Sequence, residues 1–110
     1  MKRYNKLIRD KIPQMLDAKS VSYEVRELDH EQYMKKLNEK LEEELDEYRL
    51  ATTIEEQIEE LADFVEVAYA IAAHKGISIE HFETVRIKKK EKRGGFEKKL
   101  LLISTEDSSD

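Results

Sequence analysis

Apolar side chains recur along most of the chain at steps of three and four residues, the period of helices with one buried face. Ile12, Met15 and Leu16 keep this spacing around Pro13, which a first helical turn tolerates, and they predict a short helix over about residues 10–19. Leu37, Leu41, Leu45 and Tyr48 fall within about 80° of one another on a helical wheel. They predict a second helix, opened by Asp29 as N-cap with Gln32 three residues on, that runs to about Leu50. Thr52 or Thr53 with Glu55 or Glu56 has the capping-box pattern and opens a third, which should end at Gly76 after a last turn holding His74 and Lys75. Ser78 then caps a fourth helix, with Ile77 and Phe82 placed for a hydrophobic staple and Ile79, Phe82 and Val85 continuing the buried face.

Two segments break the helical period. Val21 to Leu28 alternates Val, Tyr, Val against Ser, Glu, Arg, the pattern of a half-buried strand, and Phe96 to Ile103 is an apolar run after Gly94-Gly95. Two lone strands want each other, so they are expected to pair. The predicted fold is mainly α: a helical bundle with a small terminal β-ribbon, a single domain over residues 1–103 and a polar C-terminal tail over 104–110.

Carboxylates sit on the wrong side of two of these helices. Glu44 falls inside the apolar stripe, about 20° from Leu37, and Glu47 lies one turn along on the same side. In the third helix Leu61 to Ala73 is apolar almost all round, yet Glu60 and Asp63 share the side of Phe64, Val67 and Ile71. Four inward carboxylates cannot all stay ionised unpaired, since desolvation and mutual repulsion both raise their pKa values. A divalent cation resolves the conflict, and an all-oxygen set favours Mg²⁺ or Mn²⁺ over zinc.

Charge is sorted along the 110 residues: ten of the 25 carboxylates lie between Glu42 and Asp63 against Arg49 alone, while Arg86 to Arg93 reads RIKKKEKR. Folded together, the two segments would make a bipolar site, with acids holding metal and cations meeting phosphates. The net charge of −5 argues against nucleic-acid binding by the whole surface, and no apolar run reaches the roughly 18 residues of a membrane span. There is no cysteine, hence no disulfide or thiolate site, and no phosphate-binding loop of the G-x-x-x-x-G-K-[ST] type. A basic N-terminus without a following apolar core makes a cytoplasmic location the expectation.

Glu43-Glu44-Leu-Asp-Glu47, twelve residues, then Glu60-Leu-Ala-Asp63 resembles the metal motif of the MazG-like, all-α nucleoside triphosphate pyrophosphohydrolases, close to their phosphoribosyl-ATP pyrophosphohydrolase-like branch. The opening Tyr4 to Pro13 and the Lys89-x-x-x-Arg93-Gly94-Gly95-Phe96 segment look like terminal signatures of one branch. The resemblance implies Mg²⁺-dependent (or Mn²⁺-dependent) hydrolysis of a nucleoside triphosphate to monophosphate and pyrophosphate, of the house-cleaning kind. It assigns Glu44, Glu47, Glu60 and Asp63 as metal ligands and Glu43 as a further ligand or water-orienting base. Lys89 and Arg93, with Arg9 and Lys11, would meet phosphate oxygens. A phosphoribosyl-ATP enzyme of histidine biosynthesis and a non-catalytic helical interaction module are the competing readings. Members commonly dimerise, and the all-round apolar third helix needs more cover than one chain supplies, so a homodimer or higher homo-oligomer is expected.

Overall fold

The structure, a computed structural model, describes residues 2–106. Four helices follow in order: α1 (Ile12–Ala18), α2 (His30–Leu50), α3 (Ile54–His74) and α4 (Ile79–Arg93). The caps form as the sequence dictates. Asp29 accepts from the Gln32 amide at 2.8 Å, Thr53 from Glu56 at 3.1 Å and Ser78 from His81 at 3.1 Å, each satisfying a helix-start donor with no intrahelical partner. At the far end of α3, Gly76 takes φ +82°, and Gly76 and Ile77 donate back to the carbonyls of Ala73 and Ala72. This is a Schellman stop, and its left-handed residue is the glycine.

Helices α2 and α3 have 21 residues each and fold into an antiparallel hairpin across a short connection at Ala51 to Thr53. Register is visible at the open end, where the His30 ring lies 5.3 Å from His74 and Tyr33 meets the same imidazole edge-on at 5.1 Å. The seam then repeats every seven residues. Along α2 it passes through His30, Leu37 and Glu44, and along α3 through His74, Val67 and Glu60. Leu37 (2% exposed), Val67 and Glu44 are the buried residues among those described, so the centre of the hairpin places a carboxylate one heptad from its apolar core.

Little else is enclosed. Among the described helices, α4 meets only α3, through an edge-on contact of Phe82 with Tyr69 at 5.6 Å and a Tyr69 hydroxyl bond to Glu83. The radius of gyration is 18.6 Å, against about 13 Å for a compact chain of this length. Leu50 and Ile54 are 79% and 77% exposed, and Ile58, Leu61 and Val65 extend the same uncovered stripe along α3.

The expected β-ribbon does not form. Among the described residues there is no strand: Val21 to Leu28 is irregular, with Val21, Tyr23 and Val25 exposed, and Phe96 to Ile103 covers no surface. Lys99 has φ +58° and its amide bonds back to Phe96, a turn that interrupts the extended backbone a strand requires. A period of two marks a strand only where a ladder partner and a surface to bury are supplied, and an isolated pair of strands is marginal in water. Of the predicted tail, residues 104–106 are without helix or strand and 107–110 lie outside the described residues. No described helix is long and apolar enough to cross a membrane.

Candidate metal centre

The short turn between α2 and α3 brings the two carboxylate pairs face to face. Glu43, Glu44 and Glu47 each offer an oxygen within 4.8 Å of the others, and Glu44, Glu60 and Asp63 do the same across the hairpin. Glu44 belongs to both groups and joins them. All five acids singled out in the sequence are thus assembled by one local packing event, the antiparallel closure of two capped helices.

The electrostatics of this cluster are unresolved by the protein's own groups. Glu44 is 5% exposed, and its Oε2, like Oε2 of Glu60, is buried without a hydrogen-bond partner. Ionised carboxylates only accept, so two that face each other cannot satisfy one another unless a proton or a cation lies between. Burial, then the facing Glu60 carboxyl with which a proton could be shared, then the charges of Glu47 and Asp63 push the Glu44 carboxyl up to about 7, with Lys40 opposing. Burial also raises Glu47, followed by its interaction with Glu60. The donor set is all oxygen, and with two oxygens orphaned in the interior it can hold a hard divalent cation.

Three cations border the cluster. Arg9 Nη2 donates to Asp63 Oδ1 at 2.6 Å and Lys6 Nζ to Glu43 Oε1 at 3.4 Å, so the N-terminal arm spans both helices. Lys40 lies 3.7 Å from Glu43 Oε2 and 3.8 Å from Glu44 Oε1. Lys6 and Lys40 are absent from the site read out of the sequence. Lys40 had a usable signal, standing three and four residues before Glu43 and Glu44 on one helix face; Lys6 had none, because its contact spans 37 residues.

The predicted phosphate-binding cations are placed less uniformly. Arg9 reaches the centre, but onto a carboxylate. Lys11 precedes α1, exposed, and Lys89 and Arg93 are exposed on α4; none of the three makes an ion pair among the described residues. Arg86, first residue of the basic run, pairs with Glu83 at 2.8 Å and edges a recess of about 400 Å³ between α3 and α4 floored by Phe64, Val65 and Phe82. Within one chain the acidic half of the bipolar site is assembled and the basic half is not.

A protein-family model described as phosphoribosyl-ATP pyrophosphohydrolase matches residues 1–89, which include α1 to α3, every carboxylate of the cluster and the arm. No curated protein and no solved structure matches the chain.

Proposed function

Since the chain belongs to the phosphoribosyl-ATP pyrophosphohydrolase family, whose members are nucleotide pyrophosphohydrolases, we propose that it hydrolyses a nucleoside triphosphate to the monophosphate and pyrophosphate in a divalent-metal-dependent, house-cleaning reaction. The observation that carries this reading is the convergence of Glu43, Glu44, Glu47, Glu60 and Asp63 with two buried, unpartnered oxygens. In it, Glu44, Glu47, Glu60 and Asp63 hold Mg²⁺ or Mn²⁺. When bound, the ion would supply charge neutralisation at the phosphate oxygens and acidity for a water. Glu43, at the rim and already sharing Lys6 and Lys40, would orient the attacking water and accept its proton at a carboxylate oxygen. Arg9 and Lys11 at one side, with Lys89 and Arg93 on α4, bind phosphate oxygens and orient the chain of phosphates. No protein nucleophile is required, in keeping with a site made only of acids and cations.

The reading includes a homodimer or larger assembly. Its support is the uncovered stripe from Leu50 through Val65, the open recess beside α4 and the extended radius of a single chain.

A panel of canonical and damaged nucleoside triphosphates together with phosphoribosyl-ATP, assayed with Mg²⁺ while pyrophosphate and orthophosphate are measured separately, tests the proposal. Pyrophosphate release from a triphosphate is expected. Turnover of phosphoribosyl-ATP alone would place the enzyme in histidine biosynthesis instead. Stoichiometric metal binding without turnover of any member would leave a helical interaction module.

A further inference from the structure

The N-terminal arm has neither helix nor strand before α1, and polar contacts from Asn5, Lys6 and Arg9 tie it to the hairpin. Lys36 donates to the Asn5 carbonyl at 3.2 Å, and Asn5 itself turns the arm with φ +50°, a conformation asparagine tolerates better than most residues. Beyond that turn Lys6 meets Glu43 on α2 and Arg9 meets Asp63 on α3. Both anions are members of the carboxylate cluster, one from each helix. The arm therefore adds two positive charges to an over-acidic centre, the same charge that one divalent ion would bring.

The match is imperfect in an informative way. Both arm pairs are solvent-accessible, and they reach only the outer carboxylates, leaving the inner oxygens of Glu44 and Glu60 unsatisfied. Exposed ion pairs are weak and readily exchanged. A cation seated among the carboxylates would satisfy the inner oxygens, draw Asp63 into its own coordination and repel a guanidinium a few ångströms away.

We propose that the arm is a displaceable cationic latch: Lys6 and Arg9 hold Glu43 and Asp63 while the centre is metal-free, and a divalent cation that takes Asp63 displaces Arg9 and frees the arm. The proposal rests on the metal reading given above. Release leaves Arg9 at the edge of the centre with its guanidinium unpaired, where an incoming phosphate is its natural next partner.

Two readouts on the full-length chain test this, neither of them activity. Mn²⁺ affinity is measured by electron paramagnetic resonance for the wild type, Arg9→Gln and Arg3→Gln. Arg3 is exposed and makes no ion pair among the described residues, so its variant carries the same change in net charge without touching the latch. Removing the competing pair should tighten Mn²⁺ binding by about two- to fivefold in Arg9→Gln, with Arg3→Gln close to wild type. In parallel, the ¹⁵N heteronuclear NOE of residues 6–9 should fall when Mg²⁺ is added to the wild type. Equal affinity changes in the two variants, weaker binding in Arg9→Gln, or an arm whose order Mg²⁺ leaves unchanged would overturn the latch while the metal site stands. A wild-type chain that binds no Mn²⁺ would overturn both.

Discussion

The α2–α3 hairpin and the α4 region with its C-terminal extension have been given opposite treatment by the same fold. The hairpin is closed and capped at its helix starts, with acids at its centre. The α4 region is cationic and open, in contact with α3 near its first turns only, and it ends in a segment whose Phe96 is 96% exposed. The difference lies in sequence distance and cover. A three-residue connection lets two amphipathic helices bury each other, and the carboxylates written into the apolar stripe are carried inward with it. The basic run has no such helical partner among the described residues.

The largest effect that would sharpen this contrast comes from the hairpin. Glu44→Gln should reduce metal-dependent turnover to background, because the neutral amide is a poorer ligand at the residue joining both oxygen groups. Thermal stability without metal should hold or rise, since one source of carboxylate repulsion is gone. A variant with wild-type rate and Mg²⁺ dependence would show that Glu44 is not a ligand.

On the open side the expected effects are smaller. Arg93→Ala should lower kcat/KM by about 30- to 1000-fold, and even Arg93→Lys should be impaired, whereas Lys92→Ala should matter little. Because Arg93 is exposed and makes no ion pair among the described residues, a loss of that size requires α4, or a second copy, to present it to the substrate. Equal small effects of Arg93→Ala and Lys92→Ala would reduce the basic run to a solvated face. Ile58→Glu, on the exposed stripe, should weaken self-association at least about tenfold while leaving the hairpin folded. Light scattering at low micromolar concentration reads this directly; an unchanged mass would remove α3 from the interface.

The smallest effect is in the pH dependence of the metal-free chain. Folding raises the Glu44 carboxyl from its ordinary 4.5 to about 7, so the folded state holds that proton more tightly than the unfolded one. Its contribution to stability is whole below about 4.5 and is lost as pH rises through about 7, a decline on the order of 1 to 3 kcal/mol. Metal-free melting temperatures should thus fall between pH 5 and pH 8, and the fall should shrink in Glu44→Gln. Saturating Mg²⁺ should reverse the trend, because binding expels the proton.

What the sequence made legible follows the same division. Asp29, Thr53, Ser78 and Gly76 marked helix ends because each does its work within a few residues of itself. Glu44 was legible through its angle to Leu37, and the seven-residue seam made that angle a position in the core. Val21 to Leu28 misled because alternation specifies a strand only when something pairs with it, and no described segment does. Arg9 was singled out for phosphate, but its place beside Asp63 depends on an arm folding back across 54 residues, which no local pattern encodes.

Whether the hairpin's carboxylates form one metal centre with Glu44 at its junction is decided by titrating the metal-free protein with Mn²⁺ at pH 7.5, wild type against Glu44→Gln. Saturable, stoichiometric binding by the wild type that weakens at least about tenfold in Glu44→Gln is the predicted result. Binding of equal strength in both proteins, or none in the wild type, would contradict it.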